Sequence, residues 1–284
     1  MKLDGRREST NVDDRRGMGG GAKVGLGGIG GLLIAGLIYL LTGQAVDPSQ
    51  LAGPMDSGQA RTEFTQEEQE LASFAKKILA GTEDIWTAYF SQYGLGNYVS
   101  PTMVLYTGSS QSGCGTGQSS MGPFYCSADQ CLYIDLSFFT SMKRQLGADG
   151  DFAYAYVIAH EVGHHVQNLL GTLGKAHQQM AKMNAADANR VSVRIELQAD
   201  FYAGVWAHHD NEQFGSLEKG DIEEAVRCAS VIGDDYLQKK AQGYAVEESF
   251  THGTARQRVK WLSLGIQTGD ISQGNTFALT DSQL

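Results

Sequence analysis

The chain has 284 residues with a 42% apolar and a 19% charged fraction, enough for one sizeable core and far from the composition of a disordered chain. Its formal charge is −10; residues 1–43 hold a local surplus of two positive charges, from Lys2, Arg6, Arg7, Arg15, Arg16 and Lys23 against Asp4, Glu8, Asp13 and Asp14, so the remainder stands at −12. An acidic main part excludes nucleic acid and an anionic membrane surface as its ligand, because both require a basic footprint.

Residues 1–23 read as a polar, cationic N-terminal segment. From Val24 to Leu41 the chain is VGLGGIGGLLIAGLIYLL, 18 residues without a charge, and as a helix these would extend about 27 Å, close to the hydrocarbon thickness of a bilayer. Residues 24–42 are therefore expected to be a transmembrane anchor. Cations precede it and none follows up to Pro54, so the positive-inside rule predicts a cytoplasmic N-terminus and an extracytoplasmic bulk. A cleaved signal peptide is the rival, but the apolar run exceeds the usual h-region of about 7–15 residues. A buried core helix is the blander alternative, but leucines and isoleucines all round the helix with no polar face fit lipid better than a half-exposed site.

Residues 43–62, with two of the four prolines, read as a linker, and a folded domain is expected over 63–270, followed by a polar tail at 271–284. Thr65-Gln-Glu-Glu68 fits a capping box, and Leu71, Phe74, Ala75, Ile78 and Leu79 follow at helical spacing, predicting a long amphipathic helix. Val99 to Tyr106 predicts a strand, Gly108 to Gly122 a loop, and CLYIDLSFF from Cys131 a second strand. Helices are predicted over about Phe152–Leu170, Lys175–Asn184, Val191–His209 and Asp221–Lys240. Cys114, Cys126, Cys131 and Cys228 contain no C-x-x-C pair; in an extracytoplasmic domain they read as disulfide candidates, with three connectivities open.

The chemistry concentrates in VIAHEVGHHVQNLL. His160 and His164 stand at i, i+4, so a helix turns both imidazoles to one side, and Glu161 lies beside the first, where a carboxylate can take a proton from an attacking water. A metzincin continuation is excluded, because Gln167 and Leu170 occupy the positions where that class has Gly and His. The third ligand must come from elsewhere, and RIELQADFYAG offers Glu196, with Asp200 one turn on to hold the distal nitrogen of a ligand histidine. Apolar neighbours on both sides argue against a solvated face for this acidic pair. His165 points away from the site, and His177, His208 and His209 have no companion at ligand spacing.

HEVGHHVQNLLG, RIELQAD and SFTHGTARQRVKWL, with SGCG and GPFYCSADQCLYIDLSFF, together resemble the bacterial putative neutral zinc metallopeptidase family over most of residues 60–275. The resemblance implies an α+β, mainly helical, zincin-like domain with a small sheet, preceded by one transmembrane helix. It implies one Zn2+ per chain held by His160, His164 and Glu196, as in gluzincins. It suggests Cys114–Cys126 as one bridge, leaving Cys131–Cys228 as the other, and an edge strand at CLYIDLSFF that binds substrate backbone, with a buried central strand as the alternative. A weaker similarity to the clan of membrane CAAX-prenyl proteases carries Glu196 and Asp200 onto an E-x-x-x-D motif and His252 with Arg258 onto a T-H-P…R block, in which Gly253 stands for the proline. By chemistry His252 would donate to an oxyanion and Arg258 would pair with Asp200.

The expected protein is a zinc-dependent endopeptidase of the bacterial cell membrane, with Glu161 as general base and His252 assisting, acting on extracytoplasmic proteins or peptides. Its partners would be a peptide or protein substrate and, through residues 24–42, the lipid bilayer, with no nucleic acid. The alternatives are a membrane-anchored scaffold that binds peptides without cutting them, and a zinc hydrolase of cell-wall material.

Overall fold

The computed structural model describes residues 1–18 and 63–284. The expected anchor and linker, 24–62, lie outside the described residues, among which no helix is long and apolar enough to cross a membrane. The expected mainly helical α+β architecture with a small sheet is what forms.

Helix α1 (Gln66–Tyr93) opens with the predicted capping box: the Thr65 hydroxyl accepts from the Glu68 N–H, and the Glu68 carboxylate accepts from the Thr65 N–H. Its buried face includes Ala75, Ile78, Leu79, Trp86 and Phe90. The main sheet runs in the order β1 (Val12–Asp14), β2 (Thr102–Tyr106), β6 (Cys131–Asp135), β5 (Phe124–Cys126). Strand β2 is parallel to β1 and β6, whereas β5 is antiparallel to β6 and forms one edge. Met103, Leu105, Leu132 and Ile134 face the helices, while Val104, Tyr106 and Tyr133 form a small cluster on the other face, the alternation a pleated strand imposes.

The strand predicted over CLYIDLSFF ends at Asp135, where the chain turns into α2 (Ser137–Leu146), and it is an interior strand, not an edge. The stretch expected as a loop between Gly108 and Gly122 contains a hairpin, β3 (Ser109–Ser112) with β4 (Gly115–Gln118). Its glycines and serines show no apolar alternation, so the strand signal is absent from the sequence. A Cβ on Gly117 would come within 2.5 Å of the Phe124 ring, and Cys114, between the two strands, is bridged to Cys126 on β5. The second expected bridge is corrected: Cys131 and Cys228 are free. Cys131 packs with the cluster on the far face of the sheet, while Cys228 lies in the helical core with its Sγ 3.6 Å from Met142 Sδ.

The helical part comprises α3 (Asp151–Leu169), α4 (Thr172–Met180), α5 (Ala185–Phe214), α6 (Asp221–Val231), α7 (Asp234–Gln242) and α8 (Ala255–Thr268). The helix predicted over Asp221–Lys240 is therefore two, broken at Gly233, where a Cβ would stand 2.2 Å from the Ala255 nitrogen. Two close crossings set the site. A Cβ on Gly163 of α3 would meet the Ala199 carbonyl oxygen of α5 at 2.8 Å, and Gly204 of α5 lies so close to α8 that its Cβ would meet Leu262 O at 2.3 Å.

Residues 1–18 do not stand apart as expected but pack on the domain. Strand β1 pairs with β2, Val12 opposite Met103, and Arg6 reaches Asp210 at 2.7 Å. The C-terminal segment forms three 3-10 turns, with Thr276 and Leu284 buried.

Candidate metal centre

Helix α3 carries His160, Glu161 and His164, and α5 carries Glu196 and Asp200; the contact at Gly163 brings the two rows together. His160 Nε2 lies 3.1 Å from Glu196 Oε2, and His164 Nε2 lies 3.5 Å from Glu196 Oε1. These three residues form a group whose donor atoms are close enough to hold one metal ion.

The remaining imidazole nitrogens are engaged. His160 Nδ1 is 2.8 Å from Asp200 Oδ1, and His164 Nδ1 is 2.9 Å from Gln167 Oε1. If each Nδ1 carries the proton, each Nε2 presents its lone pair to the space before Glu196, the tautomer that metal ligation needs. Gln167 is itself fixed: its Nε2 donates to Ile195 O at 2.7 Å and to Gln198 Oε1 at 3.1 Å, and Gln198 donates to Gly274 O at 2.8 Å. Two imidazoles and a carboxylate with their outer partners in place fit zinc by donor type.

Asp200 is fully buried and accepts three further bonds besides its His160 contact: Tyr156 OH donates at 2.5 Å, and Arg258 donates through Nε at 2.9 Å and through Nη2 at 2.9 Å. Burial would raise the Asp200 carboxyl, but Arg258 and His160 outweigh it and hold the pKa at about 2. Burial would likewise lower His160, yet Asp200 and then Glu196 outweigh it and raise the imidazole to about 10. For Glu196 burial acts upward, and the neighbouring His164 and His160 bring it well below the ordinary carboxylate range. A positive charge between these groups is strongly favoured, which a divalent cation also satisfies. Glu161, by contrast, is raised, with burial as the first cause.

His252 and Arg258 both reach the site, as the sequence suggests. The turn carrying His252 is organised by Asp234, which sequence reasoning missed: its Oδ2 accepts from the N–H groups of Thr251 and His252 at 2.7 Å and of Gly253 at 3.1 Å. Asp234 Oδ1 is also 3.3 Å from His252 Nδ1. Gly253 has φ of +91°, a conformation closed to proline, so the glycine in the T-H-G block reflects a different turn held by Asp234 in place of a ring.

His160, Glu161, His164, Glu196, His252 and Arg258 line a cleft of about 460 Å³. Pro123, Phe124 and Tyr125 from the β5 edge form one wall, and Leu173, His177, Met180 and Ile195 contribute to another. His165 is buried away from the cleft, with Nε2 2.7 Å from Val99 O and Nδ1 3.0 Å from Tyr125 OH. His208 and His209, expected to have no companion at ligand spacing, form a second surface group with Glu212; each also bonds a carbonyl at the end of α8, Ile266 O at 2.8 Å and Gly269 O at 2.9 Å.

The chain matches the family described as "Putative neutral zinc metallopeptidase" over residues 1–277. It is 49% identical over 285 residues to the Escherichia coli (strain K12) uncharacterized protein YpfJ, covering 98% of this chain and 99% of the relative. It is 44% identical over 197 residues to the uncharacterized protein Mb2605 of Mycobacterium bovis, covering 66% of each. No solved structure matches. With the match spanning nearly the whole chain and the relative from Escherichia coli equally complete, this chain belongs to the putative neutral zinc metallopeptidase family.

Proposed function

We propose that the protein is a zinc-dependent endopeptidase with His160, His164 and Glu196 as metal ligands and Glu161 as general base. The observation that carries this reading is the convergence of two histidine Nε2 atoms and one carboxylate on the wall of a cleft bordered by the β5 edge strand. A bound Zn2+ would polarise a peptide carbonyl and acidify a water molecule beside it.

The chain's own groups account for the rest. Glu161, on the turn between the two histidines and raised by burial, takes the proton from the attacking water and returns it to the leaving amine. Asp200 and Gln167 fix the histidine tautomers. His252, held at Nδ1 by Asp234, offers Nε2 to the oxygen on which charge develops. The substrate backbone would lie along β5, which pairs only with β6 among the described residues. The extracytoplasmic setting expected from the sequence is supported by the Cys114–Cys126 bridge, since such bridges persist in oxidising compartments.

The test is metal content and casein cleavage by the purified full-length protein. His160→Ala and Glu196→Ala are expected to lose the zinc, and Glu161→Gln to keep it while cleavage falls by roughly 10²–10⁴-fold. Undiminished cleavage by Glu161→Gln would overturn the assignment. Zinc without peptide cleavage would favour the peptide-binding scaffold, and release of wall fragments the cell-wall hydrolase.

A further inference from the structure

Arg6, Arg7, Arg15 and Arg16 are four of the six cations that make residues 1–23 read as a segment left on the cytoplasmic side. In the fold each has a carboxylate: Asp210 for Arg6 at 2.7 Å, Asp84 for Arg7 at 2.6 Å, Asp13 for Arg15 at 2.7 Å and Asp14 for Arg16 at 2.6 Å. They are structural ion pairs, so the sign of the segment no longer speaks for its side of the membrane.

The segment is also built into the domain. The Met103 N–H donates to Asn11 O at 2.9 Å, and the Arg15 N–H donates to Leu105 O at 2.7 Å, so β1 covers the edge of β2. Ser9 and Asn11 donate to Glu83 at 2.6 and 2.7 Å, and Met1, Leu3 and Val12 pack against the main core. With the arm docked, Asp210 is 1% and Glu83 6% exposed, so withdrawing it would strip two well-covered carboxylates of these hydrogen-bonded partners, a loss the fold opposes.

We propose that the N-terminal arm is an integral strand of the catalytic domain, that both lie on the same, outer side of the membrane, and that the apolar stretch 24–41 does not separate them. A single crossing would put about 30 Å of hydrocarbon between arm and domain and forbid every contact named above. A return crossing is closed to residues 42–62, where Asp47, Asp56 and two prolines would meet lipid. The chain also leaves and re-enters the domain at one corner: the Arg16 guanidinium stacks 4.4 Å over the Phe64 ring and donates to Glu68 O at 2.8 Å, and Met18, 67% exposed, is beside it in sequence. The Cys114–Cys126 bridge selects the outer side.

The test uses the full-length protein in intact spheroplasts, with Asp4→Cys on the arm and Glu223→Cys on the domain, both exposed, and a membrane-impermeant maleimide. The wild type, whose free cysteines are the half-buried Cys131 and buried Cys228, sets the background. Both variants are expected to label before permeabilisation. Labelling of one and protection of the other overturns the shared side, and protection of both overturns the outer placement. Should a variant fold poorly, Val12→Cys with Met103→Cys, which are register partners, provides a second measurement. Oxidation in the membrane is expected to bridge them, since neighbouring strands lie within disulfide reach. Failure to bridge, with the domain folded, overturns the proposal.

Discussion

Asp200 receives Tyr156, Arg258 and His160 on two oxygens, so its removal has two separable effects. Asp200→Ala is expected to weaken zinc binding by about 10–100-fold through loss of the tautomer that it fixes. It should also lower the melting temperature, because Arg258 would remain as a buried charge, a loss of about 3–5 kcal/mol. Gln167→Ala should show the first effect with less of the second, since no charge is orphaned; competition with a chelator measures the one and thermal melts the other. Asp234 gives a pH dependence. Burial would raise its carboxyl, but His252 and the turn N–H groups outweigh it and hold it low. Its stabilisation is therefore complete above the ordinary pKa of about 3.9 and is lost as pH falls through the lower folded value. Asp234→Asn is expected to flatten the acid limb of the stability curve below about pH 4. His160 with His164 and Glu196 with Asp200 are legible in the sequence because each pair stands at i, i+4 in a helical pattern, and Glu161 because it lies beside the first histidine. Gln167 and Asp234 are not, since an amide or a helix-start aspartate becomes an orienting group only through partners far along the chain.

Between α3 and α5 the decisive position is Gly163, whose Cβ would meet Ala199 O at 2.8 Å. Gly163→Ala is expected to separate the two helices, to destabilise the fold by about 1–3 kcal/mol as overpacking does, and to weaken metal binding because His164 and Glu196 move apart. Gly174 on α4 has nothing within 4 Å of its Cβ position, so Gly174→Ala should be neutral or stabilising by about 0.4–1 kcal/mol; the pair of variants separates crowding from helix propensity. Helix α1 was readable from its cap and apolar stripe. The break at Gly233 was not, because it follows from the approach of the Ala255 backbone, a tertiary fact that leaves the apolar pattern on either side intact. The exchange of edge for interior strand has a similar origin: β5 is three residues long, too short for a period-2 signal, while β6 is buried on both faces and reads more strongly.

Across the whole molecule, one disulfide ties the small hairpin to the main sheet beside the cleft. Cys114–Cys126 pins the β3–β4 hairpin to the edge strand that borders the cleft. Its loop has a sequence separation of 12, and closure of such a loop contributes about 3 kcal/mol. Reduction is expected to lower the melting temperature and raise KM for peptides more than it lowers kcat, because the tie supports the substrate wall and not His160 or Glu161. The fold class was legible from helical periodicity after Gly150 and from the apolar strands before it. The docking of residues 1–18 was not, because β1 has three residues and ion-paired arginines look the same in a sequence as free ones.

Strand β1 also governs how the protein can be prepared in soluble form. A recombinant chain begun just past the apolar stretch would strip β2 of its neighbour, exposing a row of backbone donors and acceptors, the feature that drives edge-to-edge aggregation. Joining residue 18 directly to residue 63 through a few glycines and serines would keep that edge covered, because Arg16 already rests on Phe64.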